Sequence, residues 1–409
     1  MKYVAYVGVD WADQKHDYAV VTDDRGTESG TFSSKPEDIH GWVGRLRERY
    51  AGGTIVVAME QSRGALLYAL SRYDFLALVP LNPRAVSAYR DSLHLSGAKD
   101  DPADAELIRD FAMNHLPKLR VWRAEDAATR KLRLLVEHRR NLVGERTSHV
   151  QALVAALKQY FPQALLWFGT RSWRLRAFIA AWPTLEAARR ASADQLRGVI
   201  GGRWSDERLA ALIEQLRIAV PLTSDTAIID ALVLRVGSIN DLLETLDEQV
   251  DRYDQAIEAL WTQHDERELF ESLPGAGPVL APRLAAAFGS DRGRFADAAD
   301  MQNYSGTSPV TVRSGKRHTV RARWQRPVFL HQTFHEFAES SIPHSRWALA
   351  YYRQQRERGL AHRAAIRALA FRWIRVIYAC WANRTRYDEA TYLNALARRG
   401  SPLHQRLAA

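Results

Sequence analysis

YVAYVGVDWADQKHDYAVVTDDRGTESGTF, residues 3–32, decides how the first part of this chain folds. YVAYVGV (3–9) is a β-branched and aromatic run, apolar on both faces, which is the pattern of a central strand buried on two sides. HDYAVVT (16–22) and GTESGTF (26–32) flank a turn at Asp24-Arg25-Gly26, so a hairpin is predicted. Outward from there the signals alternate. A helix is expected from Pro36 to Tyr50 after the cap candidates Ser33 and Ser34, then a strand TIVVAME (54–60), a helix from Gly64 to Tyr73, a strand LALVP (76–80), and helices from Pro83 and Pro102.

Three strands followed by alternating helix and strand is the order of a ribonuclease-H-like α/β fold, and such a sheet collects ligands at its strand ends. In that fold the first and fourth strands lie side by side and parallel, so Asp10 at the end of the first and Glu60 at the end of the fourth emerge at one edge. The stretch SGAKDDPADAELIRDF (96–111) adds Asp101 and Asp104, spaced i and i+3 on one helical face. Alone, that stretch reads as a helix cap, with Asp101 at the N-cap, Pro102 at the first helical position and Asp104 reaching back. Capping explains neither Asp10 nor Glu60. Four carboxylates held together would repel one another and raise one another's pKa values, so the set makes sense around hard divalent cations with oxygen ligands. Two Mg²⁺ ions roughly 4 Å apart, with Mn²⁺ as the alternative, can hold a scissile phosphate.

The composition sets the partner class. The chain has 409 residues, long enough for two or three domains, with 46% hydrophobic and 25% charged residues, as in an ordinary globular protein. A formal net charge of +10 and a pI of about 9.7 suggest an anionic partner, nucleic acid before membrane surface. The lone cysteine, Cys380, excludes an internal disulfide framework and fits a reducing cytoplasm. No signal peptide is read at MKYVAYVGVDWADQ, and ALAFRWIRVIYACWA is interrupted by Arg372 and Arg375, as in a core helix with a basic face.

Beyond residue 113 strand signals nearly vanish. Residues 116–150 hold nine Lys or Arg against four acids, with Leu132, Leu135, Val136, Leu142 and Val143 at helical intervals, so one helical face is basic and offers Arg139 and Arg140 to nucleic acid. Shorter helices fill 160–228, with breaks near Pro162, Pro183, Gly201-Gly202 and Pro221. Leu232, Val236, Ile239, Leu243, Leu246, Val250, Tyr253, Ile257 and Leu260 then repeat at spacings of four and three, which is a coiled-coil seam for self-association or the core stripe of a long bundle helix. LFESLPGAGPVLAPRLAAAFG (269–289) reads helix, turn, helix, with Gly275 and Gly277 either admitting a phosphate to backbone amides or making a plain interhelical turn. Residues 301–335 contain no acid while carrying Arg313, Lys316, Arg317, Arg321, Arg323 and Arg326, which favours nucleic-acid contact.

YVGVD with Asp10, VAMEQS with Glu60 and KDDPADAELI with Asp101 and Asp104 resemble the four-acid signature of transposases of the insertion sequence 110 family. LPGAGPVLAPRLAAAFG, RFADAADMQNYSGTSPVTVRSGKR (294–317) and the Trp- and Arg-rich helices from Trp347 resemble that family's second domain. The resemblance covers about residues 3–160 and 230–395. It implies a Holliday-junction-resolvase-like nuclease domain at 1–113, a helical region at 114–265 and a helical transposase domain at 266–409. It also implies a cytoplasmic, non-membrane DNA recombinase, working as a dimer or tetramer, guided by a structured bridge RNA that pairs with donor and target DNA. A nucleophilic serine falls at Ser314, with Ser305 and Ser308 as residual candidates and Lys316-Arg317 departing from the small residues common in relatives; Asp100 competes with Asp101 for the third acid. Without the resemblance, Ser314 would read as a polar turn residue in a basic loop.

His331 and His335, spaced i and i+4, lack both a glutamate between them and a third ligand, so a helix surface pair is expected. Trp373 and Trp381 read as core, and Trp324, between Arg323 and Arg326, as a candidate to stack on an RNA base. Two other functions compete with RNA-guided recombination. One is a Mg²⁺-dependent junction-resolving endonuclease that uses water, and the other is a non-catalytic nucleic-acid-binding scaffold.

Overall fold

The structure is a computed structural model that describes residues 3–22, 26–60, 64–93, 101–201, 204–314, 317–321, 323 and 326–408, and gives no account of the side chains of 101–102, 312, 314, 317–318, 320 and 408. Asp100, Lys316 and Trp324 therefore lie outside the described residues, as do the side chains of Asp101, Ser314 and Arg317. The chain divides into two compact units, residues 1–124 and 125–409.

In the first unit, strands β1 (Tyr3–Asp10), β2 (Lys15–Thr22) and β3 (Thr27–Ser33) precede α1 (Pro36–Arg49), β4 (Thr54–Met59), α2 (Ala65–Leu70), β5 (Leu76–Pro80), α3 (Pro83–Leu93) and α4 (Asp101–His115). The sheet order is β3-β2-β1-β4-β5, with β2 antiparallel to β1 and β3, and β4 parallel to β1 and β5. This is the order expected of a ribonuclease-H-like sheet. The unbroken apolar run of β4 follows from burial on both faces: Ile55, Val57 and Met59 meet Trp42, Val43, Leu66 and Leu67, while Val56 and Ala58 meet Val86, Leu107 and Ile108. Each such side chain withdrawn from water contributes about 1.5–3 kcal/mol.

Two local signals differ from expectation. Helix α1 takes Lys35 as its N-cap without a side-chain bond, and Ser33 Oγ instead accepts from Lys35 N at 3.0 Å. Pro36 at the first position and Glu37 and Asp38 in the first turn do the work expected of Ser33 or Ser34. Gly8 in the centre of β1 has a packing cause: a Cβ there would fall 2.1 Å from the Ala105 carbonyl oxygen and 2.4 Å from Arg109 N. The absent side chain lets α4 lie directly against β1.

The second unit is mostly helical. Its elements are α5 (Ala127–Tyr160), α6 (Pro162–Phe168), α7 (Trp173–Ala181), α8 (Leu185–Arg189), α9 (Ala193–Ile200), α10 (Asp206–Ile218), α11 (Thr226–Trp261), α12 (Arg267–Glu271), α13 (Gly277–Phe288) and α14 (Ala298–Tyr304). A hairpin of β6 (Val310–Ser314) and β7 (Arg317–Arg321) follows, then α15 (Val328–Ser341), α16 (Arg346–Glu357), α17 (His362–Asn383), α18 (Glu389–Arg398) and α19 (Pro402–Ala408). Helices α5 and α11 run antiparallel, and their opposite ends enter two separate cores. Leu132, Val136, Ile257 and Trp261 join Phe288, Phe334, Trp373 and Trp381 in one, while Leu153, Leu157, Val236, Ile239 and Leu243 join Phe178 and Leu212 in the other. The sequence division at 265 cuts across the first of these cores.

The heptad stripe is the buried face of this helix pair. Val236, Ile239, Leu243, Val250 and Ile257 are all less than a tenth exposed within a single chain, so the seam needs no second copy to cover it. The narrow a/d pattern that suggested self-association suits an intramolecular antiparallel pair equally well. Trp373 and Trp381 are core residues, as expected. Among the described residues no helix is long and apolar enough to cross a membrane.

Candidate functional site

Two regions carry the chemistry read from the sequence, one in each unit. In the sheet unit, β1 and β4 run parallel in a register that pairs Val9 with Met59, so Asp10 and Glu60 follow at the same end of neighbouring strands. The antiparallel ladder to β2 pairs Asp10 with Asp17, a third carboxylate at this edge that sequence reading missed. Its signal was available, because the short connection from Trp11 to Gln14 between the two strands sets their register once both are placed. Asp17 lies 3.7 Å from Lys15 Nζ. The chain leaving Asp10 is steadied by buried His16, whose Nδ1 accepts from Ala12 N at 3.4 Å and whose Nε2 meets Ser34 Oγ at 3.2 Å. Burial lowers the His16 pKa, with Asp17 opposing.

The close approach at Gly8 sets α4, and with it Asp104, beside β1. Asp104 is 6% exposed and accepts from Arg90 Nη2 of α3 at 2.7 Å. This ion pair was not legible from the sequence, since the two residues belong to different helices. Asp101 opens α4. The donor set at this edge is oxygen only, which suits a hard dication. Among the described residues, however, no group of three or more His, Cys, Asp or Glu is placed to hold a metal ion. Arg90 occupies Asp104, and the Asp101 side chain lies outside the description.

In the helical unit, Ser314 is the last residue of β6 and pairs with Arg317 across the hairpin. The rival serines are buried: Ser305 is 0% exposed and donates to Gln302 O at 3.0 Å, and Ser308 is 8% exposed. Gly306, in the left-handed region at φ 71°, lets the chain entering the hairpin approach Arg326, where a Cβ would stand 2.2 Å from the Arg326 Cβ. Arg313 and Arg321 are exposed on the hairpin and Arg323 is half-buried.

The other sequence candidates have structural partners. Arg139 is paired with Asp254, the second contact of its guanidinium lying at 2.8 Å, and Arg140 pairs with Glu336 at 3.3 Å. Both guanidinium groups are thus engaged with acids within the chain. Gly275, at φ 77°, faces the Ser340 carbonyl oxygen, 2.5 Å from where its Cβ would stand, and Ser340 Oγ donates back to Gly275 O at 2.7 Å. That glycine serves an interhelical turn; Gly277 opens α13 at φ 55° with open space where a Cβ would go. His331 and His335 form no surface pair: both rings are half-buried, with centroids 4.2 Å apart.

Comparison with known proteins bears on both regions. The family profile for DEDD transposases of the IS110 group, described as Transposase, matches residues 7–162, and one described as Transposase IS116/IS110/IS902 family matches residues 267–353. The mini-circle protein of IS117 from Streptomyces coelicolor, whose name describes it as a candidate transposase, is 28% identical over 94% of this chain and 95% of its own length. An uncharacterized protein of insertion element IS110 from the same species is 29% identical over 82% of this chain and 84% of its own. An uncharacterized protein of insertion element IS900 from Mycobacterium paratuberculosis is 26% identical over 83% and 86%.

Proposed function

The chain belongs to the insertion sequence 110 family of transposases, and on that premise we propose that it cuts, exchanges and rejoins DNA strands under the guidance of a structured bridge RNA. The observation that supports the reading is the parallel pairing of Val9 with Met59, after which Asp10 and Glu60 follow at the same end of neighbouring strands, inside the stretch that the DEDD profile matches. The family implies divalent metal use. Asp10, Glu60, Asp101 and Asp104 would hold the metal, Mg²⁺ by preference and two ions by their number, with Mn²⁺ as the alternative. Bound there, a dication supplies Lewis-acid polarisation of the scissile phosphate. Arg90 holds the fourth acid through Oδ1, and its withdrawal would free both carboxylate oxygens for the metal.

Ser314 is the nucleophile in this reading. Its Oγ attacks phosphorus, an Oγ–P bond forms as one P–O bond of the DNA strand breaks, and the departing oxygen leaves with a proton. The phosphoserine link conserves the energy of the broken strand, so rejoining needs no nucleotide triphosphate. Arg313, Lys316 and Arg317 offset the charge that builds on the phosphoryl oxygens, while Arg321 and Arg323 contact the backbone of the strand. Donor and target DNA and the bridge RNA are the partners, and a dimer or tetramer places a hydroxyl of one copy beside the acids of another. Target choice is delegated to base pairing.

Covalent trapping tests the reading. With Mg²⁺ and a DNA substrate, wild-type protein is expected to accumulate a protein–DNA adduct that Ser314→Ala abolishes and Ser305→Ala retains. Metal-dependent cleavage by Ser314→Ala at the wild-type rate would identify a hydrolytic junction nuclease instead. RNA sequencing of the purified protein tests guidance: one recurrent structured species is expected, and random cellular RNA would refute it.

A further inference from the structure

Several unusual features meet where β7 leads into α15. Among the described residues, His331 Nδ1, His335 Nε2 and Arg323 Nε are buried polar atoms without a hydrogen-bond partner. A buried polar atom without a partner keeps its full desolvation cost, so two such atoms on rings with centroids 4.2 Å apart call for a ligand. The groups that face the two rings are cationic on most sides. Arg326 acts on both from the segment before α15, Arg367 on both from α17, and Arg363 on His335 from α17. Glu339 is the acid acting on His335, and it lies 3.4 Å from His362 Nε2. Burial and these neighbours push His331 down to about 3 and His335 down to about 4, so both are neutral and can donate or accept. A dication would be repelled by the arginines; an anion would be welcomed by them.

We infer that His331, His335, Arg326 and Arg367 form a second anion site, which holds a phosphodiester of the bound nucleic acid away from the reacting serine. This rests on the nucleic-acid reading above. The placement suits the task. Gly306 clamps the Arg326 backbone against the chain entering the hairpin, so the cluster stands at the hairpin's base and Ser314 at its far end. Four strand steps of about 3.3 Å each lead from Val310 to Ser314, roughly 13 Å. A phosphate fixed at the base would hold the strand in register as the hairpin presents the hydroxyl. The site is also proton-linked: an anion between the arginines cancels their repulsion, so the histidines take up protons as it binds, and affinity rises as pH falls.

Two measurements decide the matter. In the first, inorganic phosphate is titrated into full-length protein while the histidine ring resonances are followed by NMR across pH. Two histidine pKa values are expected to rise by about one unit or more, and Arg326→Gln/Arg367→Gln should remove the rise; unmoved resonances would overturn the site. In the second, a rhodamine-labelled DNA duplex is bound between about pH 6 and about pH 4, the range into which the two histidine pKa values rise, where wild type should tighten by up to tenfold per pH unit for each proton taken up. His331→Asn/His335→Asn should bind with less than about a twofold change over the same range, and Arg367→Gln serves if that variant unfolds. A variant with the wild-type pH slope sinks the proposal while leaving the nucleic-acid reading intact. Wild type that binds no duplex at any pH sinks the nucleic-acid reading, and the phosphate titration still judges the anion site. A response to phosphate without pH-linked duplex binding would overturn the assignment to a nucleic-acid strand.

Discussion

In the sheet unit, hydrogen-bonded strands set Asp10 beside Asp17 and next to the strand end that leads into Glu60, like charge against like. In the helical unit, charge is sorted into opposite pairs: Arg139 meets Asp254, and Arg146 and Arg176 share Asp247 between α5, α7 and α11. The difference comes from what fixes each position. A strand ladder places residues by backbone register, whatever their charge, so repelling carboxylates persist where a ligand repays them. A helix surface lets long side chains choose partners, and exposed pairs form there for less than about 1 kcal/mol. Like charges gathered by backbone therefore single out a candidate site, whereas charges already paired across helix surfaces do not.

Removing one charge from each region breaks this comparison most directly. Asp10→Ala is expected to lower metal-dependent strand cleavage roughly a thousandfold or more while nucleic-acid binding persists. Asp254→Ala, which unpairs Arg139, should leave the cleavage rate within about twofold and cost about 1 kcal/mol or less of stability. Equal cleavage losses in the two variants would erase the distinction.

Packing gives the next largest effect. Gly8→Ala drives a methyl group into the α4 backbone and should destabilise the sheet unit by about 1–3 kcal/mol, whereas Gly144→Ala on α5, where open space receives the Cβ, should be neutral or stabilise by about 0.5–1 kcal/mol. Thermal unfolding of the two variants measures both. A smaller effect is expected from Arg90→Gln. Releasing Asp104 should lower the Mg²⁺ concentration for half-maximal cleavage several-fold, and a raised requirement would show that Arg90 orders the acid rather than withholding it.

The smallest effect belongs to the entrance of α5. Asp126 caps that helix, accepting from Thr129 N at 2.8 Å and from Thr129 Oγ1 at 2.6 Å. Burial would raise its pKa, yet the hydrogen bonds of Ser290 and Thr129 and the nearby His264 outweigh it and hold the group at about 2, below its ordinary 3.8. A depressed carboxyl stabilises the fold above its unfolded pKa and loses that contribution as pH falls through the folded one. Asp126→Ala should therefore cost about 1 kcal/mol or less near neutrality, and the gap from wild type should close as pH drops from about 4 toward 2. A gap that stays constant would assign the effect to packing.

Legibility differed between the units. Strand LALVP was read at the observed bounds of β5, and the first strand at almost those of β1, because apolar runs bracketed by turn residues leave few alternatives. The helical unit also announced its breaks at Pro162, Pro183, Gly201 and Pro221. What the pattern there could not announce was the partner of each face. The stripe on α11 has the same spacing whether α5 or another molecule covers it, and Arg139 and Arg140 look identical in sequence whether they face acids or solvent.

From the amino-acid order alone came the sheet, its strand-end acids Asp10 and Glu60 and the basic balance of the chain, since strand period and net charge are local or additive properties; the strand hairpin that carries Ser314, in a stretch read as a basic loop, came from the structure. Tertiary structure alone decided that Asp17 stands opposite Asp10, that Arg90 holds Asp104, that Ser305 is sealed in, and that two histidines expected at the surface lie half-buried among arginines. Those contacts join elements far apart in the chain, and which elements meet is set by how whole apolar faces pack, a cooperative choice that no short window of sequence contains.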